Sequence, residues 1–179
     1  MQPTSFNQQR QGVAKQLLLI FLLALTSTLN LQAQAFDGDA DRKYMVGYHN
    51  IGGTSGAELL YDRGVSDDIS LGMRTVFVNR VVKYDGERDN EAGMDLGVFA
   101  NYHFMDLLKL PDNLDLIAGA GISLLVFDVH AGIRYNFSEV VGVYAEARQN
   151  IFSIIKESDD RKPLFQNKSG FSIGLTFNF

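Results

Sequence analysis

Alternation of apolar and polar residues at every second position is the feature that most constrains the fold of this chain. Residues 170–179 read GFSIGLTFNF, with Phe171, Ile173, Leu175, Phe177 and Phe179 separated by small or polar residues. Successive side chains of a β-strand point to opposite sides, so this period predicts a strand with two unlike faces. Similar segments recur along the chain between clusters of turn-forming residues. We predict eight strands, over residues 43–51, 56–64, 69–80, 92–104, 114–124, 128–137, 140–152 and 170–179.

The connections between these segments alternate in length, with short turns at one end and longer charged loops at the other. This habit is typical of outer-membrane barrels, whose long loops face outward. The predicted fold is therefore all-β, an eight-stranded antiparallel up-and-down transmembrane β-barrel with both termini in the periplasm. The predicted outer loops are residues 52–55, 81–91, 125–127 and 153–169. The boundary between strands five and six is the least defined, because LLVFDV contains neither Gly nor Pro.

The composition of the two strand faces indicates which of them is inside. In strands three to eight the apolar face carries no charged residue. A lipid-facing wall and a soluble core both exclude charge, so this face alone decides nothing. The glycines within the strands indicate which face is inside, because they all fall on the polar face. They are Gly47, Gly72, Gly93, Gly97, Gly119, Gly121, Gly132, Gly142 and Gly174. Glycine weakens an exposed strand, whereas a narrow barrel needs small residues inside to make room for large ones. The polar face is therefore predicted to line the lumen.

Charges in such a lumen must pair or be hydrated. The predicted lumen charge network consists of Arg74, Asp95, Arg134, Glu146 and Arg148, with Glu58 and Asp62 as candidate further members. One interpretation is a salt-bridged plug that closes the barrel, and the other is an ion pathway. The narrow interior of an eight-stranded barrel favours the plug.

The N-terminal residues have the pattern of a secretory signal peptide. Arg10 and Lys15 precede the apolar run LLLIFLLAL, and Ala33-Gln34-Ala35 follows as a small-x-small cleavage site. Nine apolar residues are far fewer than the ~20 that a spanning helix needs. We predict a signal peptide over residues 1–35 and a barrel domain over residues 36–179.

On these residues the chain resembles the small bacterial outer-membrane barrel proteins, the OmpA-like and OmpW-like transmembrane barrels. The closing FSIGLTFNF and the preceding VGVYAEARQN are similar to the final hairpin of such proteins. The resemblance implies a monomer in the outer membrane of a Gram-negative bacterium, in contact with outer-membrane lipid. It also implies that Phe171, Ile173, Leu175, Phe177 and Phe179 form a signal that the barrel assembly machinery reads. The ligand of the outer loops is not identified by this pattern.

Several kinds of chemistry are disfavoured by composition. The chain has no cysteine, and a formal net charge of -5 argues against nucleic acid as a partner. His49, His103 and His130 lie on different predicted strands without the spacing of a metal motif. Neither a cofactor nor a catalytic residue is predicted. A lipid A hydrolase of this fold would carry a His with a Ser two residues later, a pattern absent here.

The sequence thus predicts a membrane barrel with a structural or surface-interaction role. A narrow channel or a transport barrel for hydrophobic ligands is the alternative function. A lipid A-modifying hydrolase and a soluble secreted β-barrel are the remaining alternatives.

Overall fold

The computed structural model describes residues 33–84, 87–154, 165 and 168–179, and of residues 80–84, 87–89 and 91 it describes the backbone alone. The predicted signal peptide therefore lies outside the described residues, apart from residues 33–35 at its end.

The described residues form a closed barrel in which each strand pairs antiparallel with the next along the chain and the last pairs with the first. The strands are β1 (Arg42–Ile51), β2 (Thr54–Gly64), β3 (Ile69–Tyr84), β4 (Glu87–His103), β5 (Leu114–Ser123), β6 (Val126–Asn136), β7 (Val141–Ser153) and β8 (Ser169–Asn178). The barrel closes where β1 meets β8, from the pair Lys43–Asn178 to the pair Ile51–Gly170. The predicted eight-stranded antiparallel up-and-down barrel is confirmed.

Three of the predicted outer loops are shorter than expected. Residues 81–91 were predicted as a loop, but β3 and β4 remain paired as far as Tyr84 and Glu87, so that prediction is wrong. Two antiparallel strands can continue as a ribbon beyond a barrel, because their backbone groups satisfy each other without a buried face. Residues 85 and 86, between these two strands, lie outside the described residues. Likewise, the first loop consists of Gly52 and Gly53 alone, both with positive φ.

The turn between β5 and β6 owes its shape to a serine. The Ser123 hydroxyl accepts hydrogen bonds from the backbone N–H of Leu125 at 3.2 Å and of Val126 at 2.9 Å. Serine hydroxyls can replace the turn-forming role of Gly or Pro by this bonding. The turn consists of residues 124 and 125, and residues 126 and 127 of the predicted loop 125–127 belong to β6.

The long connection between β7 and β8 contains Phe165, the only described residue between 154 and 168. At the opposite end, β4 and β5 are joined through a short helix, α1 (Met105–Leu108), and the chain enters β1 through a 3-10 turn at Gly38–Ala40. No helix in the described part of the chain has the length and apolarity to cross a membrane.

The polar face of the strands lies inside the barrel and the apolar face lies outside. Buried positions include the charged residues Glu58, Arg74 and Arg148, whereas Met73 and Ile173 are each 56% exposed. Two apolar clusters also lie inside. One contains Met45, Leu60, Phe99 and Tyr144, and the other contains Ile51, Val76, Val78, Val126 and Phe165.

Glycine makes room for Tyr144 inside the barrel. Gly47, Gly174 and Tyr144 are neighbours in one row across β1, β8 and β7. A Cβ on Gly174 would lie 2.7 Å from Cε1 of Tyr144, and one on Gly47 would lie 3.0 Å from Cζ of the same ring. Both distances are shorter than van der Waals contact between carbons. The tyrosine ring therefore depends on these two glycines.

Candidate functional site

Arg148 is the centre of the buried charges inside the barrel. Its Nη2 atom lies 2.5 Å from Oε1 of Glu146 and 3.2 Å from Oε2 of Glu58. Its Nε atom lies 3.9 Å from Oδ1 of Asp128. One guanidinium, with donors arranged in a planar fork, thus contacts carboxylates from β2, β6 and β7.

Asp128 connects Arg148 to Arg74 on β3 and to His130 on β6. Its carboxylate accepts hydrogen bonds from Nη1 of Arg74 at 3.3 and 3.4 Å, and its Oδ1 atom lies 3.0 Å from Nδ1 of His130. Asp128 was not among the predicted network residues. Its position two residues before His130 and six before Arg134 places it on the same strand face, which could have identified it.

The polar contacts continue toward the end of the barrel that carries the chain termini. His130 Nε2 lies 2.7 Å from Oδ1 of Asn101, whose Nδ2 donates to Oδ2 of Asp62 at 3.3 Å. Arg134 Nη2 lies 2.5 Å from the same Asp62 oxygen. Four of the five predicted residues, together with Glu58 and Asp62, therefore belong to one connected set of contacts.

Asp95 is the exception among the predicted network residues. It is buried, yet it forms no ion pair with any residue in the described ranges. Instead it lines the small lumen cavity together with Ser123 and Val126, and its Oδ1 atom has no hydrogen-bond partner among the described residues. Asp95 therefore lies beside the β5–β6 turn and outside the central ion pairs.

Ser70, His103 and Asp115 lie in the order of a serine-hydrolase triad. Ser70 Oγ is 2.9 Å from His103 Nε2, and His103 Nδ1 is 2.7 Å from Asp115 Oδ2. However, Ser70 and Asp115 are fully buried, and the Phe36 ring stacks on His103 with 3.5 Å between centroids. In this arrangement a substrate carbonyl has no approach to the hydroxyl.

Residues 34–41 fill the mouth at the terminal end; Gln34 and Ala35 belong to the predicted signal peptide and residues 36–41 to the predicted barrel domain. Asn136 Nδ2 donates to the carbonyl of Gln34 at 2.6 Å, and the Ala35 N–H donates to the carbonyl of Asp112 at 2.6 Å. Asp41 forms a 2.5 Å ion pair with the fully buried Lys43. Burial raises the pKa of the Asp41 carboxyl, and the Lys43 charge opposes that rise. The sequence interpretation did not identify Lys43 as a lumen residue.

The predicted assembly-signal residues lie on the outward face at the closing strand. Phe171, Ile173, Leu175 and Phe179 are exposed, and Phe177 is half-buried. Among the described residues, no three His, Asp or Glu side chains are arranged to hold a metal ion.

A family model described as a family of unknown function, DUF6646, matches residues 26–179. The chain belongs to the DUF6646 family. No curated protein matches the chain by sequence.

Among solved structures, this DUF6646 chain is similar to the N-terminal β-barrel domain of Pseudomonas aeruginosa OprF. The TM-score is 0.52 at 15% identity, over 80% of this chain and 100% of that domain. At this identity the similarity shows a shared barrel fold.

Proposed function

We propose that this protein is an integral outer-membrane β-barrel, closed by its own lumen side chains, with a structural or surface-interaction role. The observation that carries the proposal is the uncharged outward wall. Between the aromatic residues near its two ends, the outward positions include Val46, Leu59, Leu96 and Ile133, each more than two-fifths exposed. A soluble protein rarely exposes a contiguous apolar surface of this extent.

The energetics of the two faces support membrane embedding. A Lys or Arg on the lipid face of a barrel costs ~2–4 kcal/mol at mid-bilayer, and the outward wall avoids this cost. Conversely, Arg148, Arg134 and Arg74 are directed inward, where they have carboxylate partners, and the outward Arg42 and Arg63 lie at the terminal end of the wall. This distribution is the reverse of that in a soluble barrel.

A closed lumen is supported by the small free space among the inner side chains. The cavity between His49, Arg74 and Arg148 has a volume of about 20 Å³, which suits about one water molecule. Phe165 covers it on one side, because its ring packs with Ile51 and its carbonyl accepts a 2.5 Å hydrogen bond from Asn150. We therefore favour a scaffold over a channel, and the proposal includes no catalytic role.

The orientation and assembly of the barrel follow from the same proposal. The end of the barrel where β1 begins and β8 ends faces the periplasm. The β3–β4 ribbon, at the opposite end, faces the cell exterior. The barrel assembly machinery recognises the outward residues of β8, and outer-membrane lipid surrounds the wall. The similarity to the OprF barrel is consistent with this location.

Gel mobility with and without boiling tests membrane-barrel character. The full chain should fractionate with outer membranes and migrate differently after boiling, because a closed barrel resists detergent until it is heated. Recovery in the soluble periplasmic fraction without a mobility shift would refute the proposal.

Conductance in planar lipid bilayers tests the closed lumen separately. The refolded protein should give no steady channels, and a Phe165→Ala variant should indicate whether that ring closes one side. Regular conductance steps from the unaltered protein would favour the channel alternative over the scaffold.

A further inference from the structure

Two arginine side chains lie next to each other on the outward face at the terminal end of the barrel. Arg42 and Arg63 are cross-strand partners of β1 and β2, and both are exposed. Neither forms an ion pair within the part of the chain that the structure describes. Like charges directly opposite each other across an antiparallel pair are destabilising. The pair therefore offers two adjacent guanidinium groups to an anion from outside the chain.

The position of the pair along the wall points to a headgroup. One row further along, Tyr44 and Tyr61 are also cross-strand partners, with 5.0 Å between their ring centroids, and Phe179 lies 5.4 Å from Tyr44. Aromatic girdles of outer-membrane barrels lie at the membrane–water interface. Arg42 and Arg63 come directly after this girdle, at the depth of lipid phosphates.

The charge of the neighbouring mouth argues against a soluble anion as the partner. The cavity at this mouth is lined by carboxylates, namely Asp37, Asp39, Asp67, Asp68 and Asp106. These repel an anion that approaches from the aqueous side. A lipid phosphate approaches along the wall instead, where Arg42 and Arg63 supply two cations against the single carboxylate, Asp39, of the groove lining.

A mostly apolar groove leads away from Arg63 along the wall. It has a volume of about 890 Å³, and its lining includes Asp39 as well as Leu71, Ala100 and Ala120. Arg63, Leu71, Ala100 and Ala120 are successive cross-strand partners from β2 to β5, so they form one row. The next row carries larger side chains, Tyr61, Met73, Val98 and Ile122. The small side chains of Ala100 and Ala120 thus form the floor of the groove, and the larger side chains of the next row form one of its sides.

The groove is diagonal with respect to the barrel. It begins at Arg63, next to the last residue of β2 at the terminal end, and reaches Phe127, the second residue of β6 at the opposite end. A chain lying in it would start at the headgroup level and rise into the hydrocarbon. Its volume lies within the range of small-molecule sites in proteins, ~300–1,000 Å³.

We propose that Arg42 and Arg63 bind the phosphodiester of an anionic glycerophospholipid, with one acyl chain in the groove over Ala100 and Ala120. Paired guanidinium groups suit phosphate oxygens because their donors match the oxygens in direction and charge. Burial of the acyl chain against the groove adds apolar contact. The inference rests on the proposed function, since lipid must surround the wall.

Native mass spectrometry of the full barrel in detergent tests this site, with dioleoyl phosphatidylglycerol and dioleoyl phosphatidylcholine as probes. The protein should retain one phosphatidylglycerol at least about tenfold more tightly than phosphatidylcholine. Arg42→Gln with Arg63→Gln should weaken phosphatidylglycerol binding by about tenfold or more, as expected for charge-assisted hydrogen bonds. Lys109→Gln is the matched control, because it removes an exposed cation at the same end but off the wall.

A second pair of variants tests the groove. Ala120→Phe should fill the floor and weaken phosphatidylglycerol binding several-fold, whereas Ala147→Phe, on the outward face of β7, should leave it unchanged. Displacement of the lipid by millimolar inorganic phosphate, together with normal binding to Ala120→Phe, would refute the acyl-chain part.

Equal binding of both lipids, or full binding by the double arginine variant, would refute the site. The gel-mobility shift of each variant separates this failure from failure of the proposed function. A barrel whose gel mobility shifts on boiling but which shows no lipid preference would refute the lipid site alone. A protein whose mobility does not shift would refute both the lipid site and the proposed function.

Discussion

Replacement of Arg148 by methionine should destabilise the folded barrel strongly. The change keeps most of the side-chain volume but removes the guanidinium that Glu146, Glu58 and Asp128 share. Asp128 would retain Arg74 at 3.3 Å. Glu146 would lose the only ion-pair partner that it has among the described residues.

The size of the effect follows from the burial of these groups. The Arg148 and Glu58 side chains are 4% and 0% exposed, so bulk water can reach them only if the barrel opens. Removal of one partner from a buried pair costs ~3–5 kcal/mol, because an uncompensated charge remains in a medium of low polarity. We expect a loss of about 3–5 kcal/mol in the free energy of unfolding.

Equilibrium unfolding by guanidinium in lipid vesicles measures this loss. Tyrosine fluorescence or the fraction of fast-migrating protein on gels reports folding, since the chain has no tryptophan. The control Lys109→Met alters an exposed cation and should stay within about 0.5 kcal/mol of the unaltered protein.

A second variant separates charge from shape. Arg148→Met combined with Glu146→Gln should be more stable than Arg148→Met alone, because the stranded carboxylate is gone. A loss below about 1 kcal/mol for Arg148→Met, without coupling to Glu146→Gln, would mean that the lumen charges are hydrated rather than paired.

Three further predictions concern the closing strand, the network and a turn. Deletion of Phe179, or Leu175→Arg, should lower the heat-modifiable fraction in membranes, since a cation on the lipid face costs ~2–4 kcal/mol. Asp128→Asn should lose about 3 kcal/mol of unfolding free energy, because two arginines lose their shared anion, whereas Asp95→Asn should lose less than about 1 kcal/mol. Ser123→Ala should lose about 1 kcal/mol in the same assay, since the β5–β6 turn loses its hydroxyl acceptor.

Each of these three predictions would be contradicted by a specific result. Normal membrane insertion of both closing-strand variants would count against their role in assembly. Equal losses for the two aspartate variants would mean that proximity to arginine does not determine the stability of a lumen carboxylate. An unchanged Ser123→Ala protein would show that the backbone alone maintains the turn.

The number of strands and the assignment of their faces could be predicted from the sequence. Alternation is a local property, so Ile173 and Leu175 were assigned outward and Arg134 and Glu146 inward without knowledge of neighbours. Strand ends were less predictable, because a strand continues as long as its partner offers backbone groups. The extension of β3 to Tyr84 depends on the paired residues of β4.

The membership of the charge network was predicted in part. Arg74, Arg134, Glu146 and Arg148 were expected inside together, but the sequence does not say which carboxylate each contacts. Arg148 meets Glu58 across 90 positions of chain, and Arg134 meets Asp62 across 72.

By itself, the sequence determined that alternating strands would bury polar residues and expose apolar ones, since that outcome needs only the period of a strand and the placement of glycine. The tertiary structure decided which side chains contact each other. Register across eight closed strands brought Asp128 to the centre, left Asp95 outside the ion pairs and set Arg42 beside Arg63. The physical reason is that lateral neighbours in a barrel are fixed by backbone pairing between distant segments, which no local pattern encodes.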